Sequence, residues 1–123
     1  MRVLIVDGAN VVGSRPDGWW RDRPGAARRL HERLTNAALD PAEVVLVLEG
    51  AAKAGVPAED DQPVRVLHAS GPGDDAIVAE VVRHLAEGGA RDVVVVTADR
   101  ELRDRVSAAG GRTEGPRWLL DQL

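Results

Sequence analysis

Four short apolar segments, each rich in β-branched residues and followed by polar residues or glycine, divide the chain. They predict strands at residues 3–6, 44–48, 64–67 and 93–97. The fourth contains four consecutive valines without polar alternation, which is typical of a parallel strand covered on both faces. Helical patterns separate the four segments, and strand-helix alternation predicts an α/β domain with a parallel sheet.

Three helices are predicted from apolar positions that recur every three to four residues. Their apolar faces comprise Ala26, Leu30, Leu34 and Ala37 or Ala38 in the first, Ile77, Val78, Val81, Val82 and Leu85 in the second, and Leu102, Val106 and Ala109 in the third. We expect glycine pairs at 88–89 and 110–111 to end the last two. Residues 51–63 are near the minimum length for a crossover, so a helical turn or a loop is expected there. An edge strand at 112–114 and a closing helical turn at 116–123 complete the prediction.

The length of 123 residues predicts one domain, spanning 1–123, without internal repeats. No apolar stretch approaches the roughly 20 residues of a membrane-spanning helix, so no membrane partner is expected. The apolar run that begins at Val3 reaches Asp7 after only four residues, which is unlike a signal peptide. We therefore expect the protein in the cytoplasm.

The amino-acid composition excludes several kinds of functional site. The absence of cysteine excludes a disulfide framework, a zinc-thiolate site and a thiol nucleophile. The chain has no Phe or Tyr, so the core is expected to be aliphatic, with Trp118 as a large filler. A net charge of −4 argues against a surface that binds nucleic acid everywhere, yet it allows a local basic patch. Residues 15–33 form such a patch, with six arginines against three acids, whereas residues 40–61 carry six acids against one lysine.

An acidic residue follows each predicted strand. Asp7 follows the first, Glu49 the second, the pair Asp74 and Asp75 the third, and Asp99 the fourth. Ligands of parallel sheets bind at the carboxyl ends of the strands, where these acids would meet. Singly, each acid could be a helix cap or turn residue, because Asp favours those positions. Together they would repel, by about 4 kcal/mol for a pair of charges ~4 Å apart at an effective dielectric near 20. A cation is therefore expected, and an all-oxygen ligand set favours Mg²⁺ or Mn²⁺.

Competing motifs fit less well. The segment 8–14 is close to a phosphate-binding P-loop, but Ser14 stands where that motif requires lysine. Ala9 replaces the second aspartate that an aspartyl-phosphate phosphatase carries after its first strand. The chain has no G-x-G-x-x-G after a strand and no G-x-S-x-G, and its three histidines show no catalytic spacing. We interpret His31, His68 and His84 as surface or packing residues.

Three segments in the same order resemble an NYN domain of the PIN-like nuclease superfamily. They read Val-Asp-Gly-Ala-Asn at 6–10, Gly-Asp-Asp-Ala-Ile at 73–77 and Val-Thr-Ala-Asp-Arg-Glu-Leu at 96–102. The chain is most similar to the bacterial branch that includes the YacP-like ribonucleases. The segment 10–23 is similar to a stretch of actinobacterial members.

This resemblance implies a three-layer sandwich around a parallel sheet with strand order 3-2-1-4-5, and a nuclease site that depends on Mg²⁺ or Mn²⁺. It implies that Asp7, Asp99, and Asp74 or Asp75 bind the metal, that Asn10 orients the site and that Thr97 hydrogen-bonds within it. Glu49 is a further candidate ligand, although the second-strand acid varies within the family. Hydrolysis at such a site would leave a 5′-phosphate and a 3′-hydroxyl.

The basic segment allows two interpretations. In one, the arginines track an RNA backbone while a tryptophan stacks on an unpaired base. The residues concerned are Arg15, Trp19, Trp20, Arg21 and Arg23. In the other, one tryptophan packs beneath a helix and the arginines pair with Asp17 and Asp22.

The sequence thus predicts a metal-dependent ribonuclease that acts on single-stranded or structured RNA. Two alternatives remain, namely an RNA-binding module with little turnover, and a metal-dependent phosphatase or nucleotide hydrolase. A homodimer, or docking on a ribosome or an RNA-decay complex, is compatible with so short a chain, although no residue argues for either.

Overall fold

Five parallel strands form the central sheet. They are β1 (Arg2–Asp7), β2 (Glu43–Leu48), β3 (Val64–His68), β4 (Asp92–Val96) and β5 (Arg112–Glu114). Their order is β3-β2-β1-β4-β5, as the family resemblance implied, and the predicted edge strand is confirmed. The structure is a computed structural model that describes residues 2–37, 39, 43–87 and 92–123.

Within the described residues, five α-helices and two 3₁₀ turns accompany the strands. The helices are α1 (Gly8–Gly13), α2 (Arg23–Asn36), α3 (Gly73–Ala86), α4 (Arg100–Ala108) and α5 (Pro116–Leu120), and the turns are Trp19–Arg21 and Gly50–Gly55. The three predicted helices and the turn in the crossover are confirmed. Ala38 and the predicted stop at 88–89 lie outside the described residues. In the part of the chain that the structure describes, no helix is long and apolar enough to cross a membrane.

The helices cover both faces of the sheet. Because side chains alternate along a strand, Leu4 and Val6 of β1 pack against α2 and α5, while Val3 and Ile5 pack against α3 and α4. The architecture is therefore a three-layer α/β/α sandwich. The buried hydrophobic residues that are described are all aliphatic, as predicted, and Trp118 packs against them while staying partly exposed.

One residue of the predicted helix faces is misplaced. Val82 was expected on the apolar face of α3, but its side chain is 53% exposed. Successive helical residues differ by about 100° around the axis, so the buried Val81 turns its neighbour towards solvent. The core face of α3 consists of Ile77 and Val81, with Val78 and Leu85 partly buried beside them.

The strand register places the polar segments after β1 and β4 side by side. Val6 pairs with Val96 on one side and with Leu46 on the other. Asp7 and Thr97, which follow these valines, therefore come together at the carboxyl edge. The strand order changes direction between β1 and β4, and in open α/β sheets ligands bind in the crevice at such a point.

Candidate functional site

Asp7 lies at the centre of the carboxyl edge and is held by its own helix. It ends β1, is only 6% exposed, and caps α1 by accepting a hydrogen bond from the Asn10 backbone N–H to Oδ1 (3.3 Å). The next residue must be small, because a Cβ on Gly8 would lie 2.6 Å from the Val47 carbonyl oxygen and 2.9 Å from Leu48 Cδ2. Glycine at this position thus lets α1 start directly against β2, which fixes the direction of Asp7.

Hydrogen bonds of Thr97 and Asn10 connect the segment that follows β4 to the segment that follows β1. The Thr97 hydroxyl, fully buried, donates to Asp7 Oδ2 (2.9 Å) and accepts from the Asp99 backbone N–H (3.1 Å). Asn10 Oδ1 accepts from the Ala98 backbone N–H (2.7 Å). The bonds to Asp7 and from Ala98 link groups that are about 90 residues apart in the chain. The segments that carry Asp7 and Asp99 are therefore positioned together.

The remaining acids reach the same edge from three other elements. Asp99 caps α4 by accepting from the Leu102 backbone N–H to Oδ1 (3.1 Å). Glu49, which follows β2, accepts from the Gly73 backbone N–H to Oε2 (2.9 Å), and this bond brings the start of α3 towards β2. Asp74 lies in the first turn of α3 and is partly buried. We call Asp7, Glu49, Asp74 and Asp99 the acidic edge.

Asp75 does not join this group. Its side chain is 79% exposed and accepts a hydrogen bond from Arg105 Nη2 of α4 at 2.9 Å. Because adjacent helical residues point about 100° apart, only one of the two neighbouring aspartates can face the edge. The structure turns Asp74 towards the other acids and Asp75 towards α4.

The charges of the acidic edge act on one another. Burial raises the pKa of Asp7, the hydrogen bonds from Thr97 and Asn10 oppose that rise, and the charges of Asp74 and Glu49 add to it. Burial likewise raises the pKa of Asp74, and the charges of Asp99 and Glu49 raise it further. Negative charge is thus disfavoured at this edge in the absence of a counterion.

This donor set suits a hard divalent cation. Its ligating atoms are carboxylate oxygens, which Mg²⁺ and Mn²⁺ prefer, and a cation would relieve the repulsion that raises the two pKa values. Across the described residues, however, no three His, Asp or Glu side chains stand close enough to hold a metal ion as they are placed. The donors therefore fit such an ion in chemistry, and binding would require the carboxylates to draw together.

The hydroxyl of Thr97 gives a first prediction. Thr97→Val is expected to lower the free energy of unfolding by about 1–3 kcal/mol, since the buried Asp7 carboxylate loses a donor and the Asp99 N–H loses its acceptor. Thr97→Ser keeps both bonds and should retain most of the stability. Urea unfolding of the three proteins measures the difference. A valine variant as stable as the wild type would show that these bonds contribute nothing.

The two neighbouring tryptophans have different environments. Their rings meet edge to face, with centroids 5.9 Å apart at 89°. The Arg23 guanidinium lies over the Trp19 ring at 5.3 Å, and that of Arg21 over the Trp20 ring at 5.9 Å. Trp20 is 50% exposed, whereas Trp19 lines a pocket of about 290 Å³ together with Val12, Leu48 and Ala52. Glu49 and Gly8 also line it, so this tryptophan pocket adjoins the acidic edge.

The basic segment does not neutralise itself. Asp17 accepts from the Trp19 backbone N–H (3.2 Å), and Asp22 caps α2 by accepting from the Gly25 backbone N–H (3.0 Å). Among the described residues, none of the six arginines at 15, 21, 23, 28, 29 and 33 forms an ion pair with a carboxylate. The predicted pairing of these arginines with Asp17 and Asp22 is therefore absent from the described structure, in which each of the two acids accepts a backbone N–H.

Two of the three histidines make polar contacts outside the four acids. His84 is 1% exposed, and its Nε2 lies 3.3 Å from Glu43 Oε2 and 3.2 Å from Glu80 Oε2. Glu43 begins β2, so this cluster lies at the edge of the sheet opposite the acids. His68 Nε2 contacts the Val56 carbonyl oxygen at 2.7 Å. His68 ends β3 and pairs in register with Leu48, so it lies at the carboxyl edge next to the strand that Glu49 follows.

Comparison with known proteins finds likeness among solved structures. No family model matches the sequence, and no curated protein matches it. Among solved structures, the fold matches the crystal structure of a tryptophan-to-leucine variant of Rae1 (YacP) from Bacillus subtilis with a TM-score of 0.75. The match covers 98% of this chain and 74% of that chain at 21% sequence identity. At this identity the likeness shows the fold alone, and the matched protein bears the name of the branch that the motifs resemble.

Proposed function

We propose that this protein is a metal-dependent ribonuclease of the NYN type that hydrolyses RNA phosphodiester bonds at the acidic edge. The observation that carries the proposal is that four acidic residues, each at or after the end of a different strand, lie along one edge of the sheet in a fold shared with Rae1 (YacP). The similarity of residues 10–23 to actinobacterial proteins supports placing the chain in that part of the YacP-like branch.

In this proposal Asp7, Asp74 and Asp99 would hold Mg²⁺ or Mn²⁺, with Glu49 as a further ligand. When bound, such an ion lowers the pKa of a coordinated water and stabilises negative charge on the phosphate. Both Asp7 oxygens accept one hydrogen bond each, and a carboxylate has about four lone-pair sites, so both retain capacity for a ligand.

Asn10 and Thr97 have positioning roles at this site. The Oδ1 atom of Asn10 is engaged by Ala98, which leaves its amide N–H donors to face a phosphate oxygen. Thr97 fixes the Asp7 carboxylate through its hydroxyl and holds the backbone of Asp99. No side-chain nucleophile is needed, in agreement with a chain that has no cysteine.

The tryptophan pocket and the loop before it supply contacts for RNA. We assign Trp19 and Trp20 to base stacking, and Arg15, Arg21 and Arg23 to phosphate contacts. The assignment is supported by the exposed Trp20 ring, by the pocket that joins Trp19 to Glu49, and by arginines without carboxylate partners in the described structure.

A substitution at Trp20 tests this assignment. Trp20→Ala is expected to weaken RNA binding by about 5-fold or more, since stacking of a base on an aromatic ring contributes roughly 1–3 kcal/mol. The control is Val82→Ala, which truncates another large exposed hydrophobic side chain on α3 and should bind like the wild type. Fluorescence anisotropy at low salt in EDTA measures both. Unchanged affinity in the tryptophan variant would mean that the loop is structural.

A second candidate function is an RNA-binding module with little or no turnover. It is favoured by the spacing of the acids, which in the described structure do not enclose a metal ion as they are placed. A phosphatase or nucleotide hydrolase would use the same carboxylates on a smaller substrate. The expected cytoplasmic location, a homodimer and docking on a ribosome or decay complex stay predictions.

Two substrates separate these three functions. Purified protein is incubated with a labelled structured RNA or a free nucleoside triphosphate, in Mn²⁺, Mg²⁺ or EDTA, beside Asp7→Asn/Asp99→Asn. We expect RNA fragments with 5′-phosphate and 3′-hydroxyl ends, formed only with metal and only by the wild type. Release of phosphate from the nucleotide with intact RNA would indicate a phosphatase. RNA binding without cleavage would indicate the binding module.

A further inference from the structure

A second surface, rich in arginines, lies beside the tryptophan pocket, and Val12 of α1 lines both. It consists of two adjoining hollows of about 190 and 430 Å³, which share Arg15 and Leu120 in their walls. Arg29 and Arg33 line the first hollow, and Arg117 lines the second. We call Arg15, Arg29, Arg33 and Arg117 the arginine groove.

The groove begins beside the acidic edge. Ala98 lines its second hollow, and this residue lies between Thr97 and Asp99 and donates its N–H to Asn10. From there the groove passes Arg117 and Arg15 and reaches the exposed side of α2. A strand that leaves the acidic edge across Ala98 would therefore meet these arginines in succession.

The groove arginines have no carboxylate partner among the residues that the structure describes. Five arginines elsewhere pair with carboxylates, namely Arg2, Arg65, Arg83, Arg105 and Arg112. In the described ranges, the four groove arginines form no such pair, although Asp17 and Asp121 also line the hollows. Asp17 is engaged by the Trp19 backbone N–H, so its carboxylate serves the turn.

The placement of two of these arginines disfavours a purely structural role. Arg29 and Arg33 are four residues apart and so lie on the same side of α2, where two like charges destabilise a helix slightly. Both are exposed, beside the buried Leu30 and Leu34. An anion bound between them would remove that repulsion.

We propose that the arginine groove binds the backbone phosphates of the RNA strand beyond the cleaved bond, and this inference rests on the proposed ribonuclease function. Arg15 and Arg117 contact the phosphates next to the acidic edge, and Arg29 and Arg33 contact those further along. The occupant follows from charge complementarity, because a chain of phosphates is a regularly spaced polyanion and arginine binds phosphate through a planar fork of N–H donors.

The test is the salt dependence of RNA binding. A labelled single strand of about 20 nucleotides, longer than typical single-strand sites, is titrated in EDTA, which prevents metal-dependent cleavage. Arg29→Ala and Arg33→Ala are each expected to reduce the slope of log K against log salt by about 0.7, which is about an 8-fold loss of affinity at 50 mM salt. Arg29→Lys should keep most of the slope because it keeps the charge.

The matched control is Arg28→Ala, which removes the same charge from the same helix. Arg28 is exposed and unpaired within the described structure but lies about 100° away from Arg29 around the axis and lines neither hollow. It should lower the slope much less than Arg29→Ala. Thermal unfolding should be unchanged in all three alanine variants, since the removed side chains are exposed.

Three results would overturn the proposal that the groove binds RNA. In the first, the Arg29 and Arg33 variants bind RNA as tightly as the wild type does, and in the second, Arg28→Ala loses as much affinity for RNA as they do. In the third, the groove variants lose affinity for phosphatidylserine vesicles but keep their affinity for RNA. Failure of the ribonuclease function gives a different pattern, in which no RNA is cleaved in Mn²⁺ while Arg29→Ala and Arg33→Ala still lower affinity in EDTA.

Discussion

Asp74→Asn is expected to reduce Mn²⁺-dependent RNA cleavage by about 100-fold or more, on the scale that the loss of one electrostatic stabiliser produces in enzymes. Asp74 interacts electrostatically with Asp99 and Glu49, and its charge raises the pKa of Asp7. Burial and neighbouring acids disfavour the charged form of Asp74. The neutral amide of Asp74→Asn should therefore leave the metal-free protein at least as stable as the wild type. Single-turnover cleavage in Mn²⁺ and thermal unfolding in EDTA measure the two effects.

The neighbouring acid provides the control for this experiment. Asp75→Asn removes the same charge one residue away, but Asp75 is exposed and pairs with Arg105 on α4. Exposed ion pairs contribute little to stability, so both cleavage and unfolding should stay close to wild type. Equal losses of cleavage in the two variants would contradict the assignment of Asp74 to the site.

Gly55→Ala is expected to destabilise the fold by about 1–3 kcal/mol or more, the range for overpacked sites, with a fall in Tm of about 5 °C or more. Gly55 ends the second 3₁₀ turn, which packs on the start of α2, and a Cβ there would overlap the Pro24 carbonyl oxygen and lie 2.7 Å from its carbon. Backbone cannot rotate away as a flexible side chain can, so one of the two segments must shift.

The same shift should reach the tryptophan pocket, because Pro24 is preceded by Arg23, whose guanidinium lies over Trp19. Gly55→Ala is therefore expected to weaken RNA binding as well as stability, as measured by urea unfolding and anisotropy. Gly115→Ala is the matched control, since its backbone is extended (φ −81°, ψ 163°) and nothing lies within 4 Å of a Cβ there. An alanine at 55 that unfolds like the one at 115 would show that the contact with Pro24 is loose.

The sheet could be predicted from the sequence because its strands are buried on both faces. A strand such as 93–96 has only valine available for both sides, and that composition is hard to mistake for a helix. The location of the acids at one edge of the sheet could be predicted as well, since parallel strands end at the same edge. Helix α1 was missed because Gly8 and Gly13 at its ends and the valines within it favour a helix poorly; Asp7 as its cap and packing on the core stabilise it.

The finer features of the site depend on contacts between distant residues. Which of Asp74 and Asp75 faces the edge is set by the rotation of α3, which its core contacts determine. That Asp17 and Asp22 bind backbone N–H groups in place of arginines depends on the loop conformation. Arg29, Arg33 and Arg117 were missed as candidates for binding RNA, because α5 joins α1 and α2 only in the folded chain.

The most direct test of the central claim is a Mn²⁺ titration of single-turnover RNA cleavage, with bound Mn²⁺ measured by electron paramagnetic resonance on the same samples. We expect the cleavage rate of the wild type to rise in proportion to its Mn²⁺ occupancy. We expect Asp7→Asn/Asp99→Asn to remain folded and to show neither tight Mn²⁺ binding nor cleavage. Cleavage that persists in EDTA, or that the double variant retains, would contradict the assignment of the acidic edge as the active site.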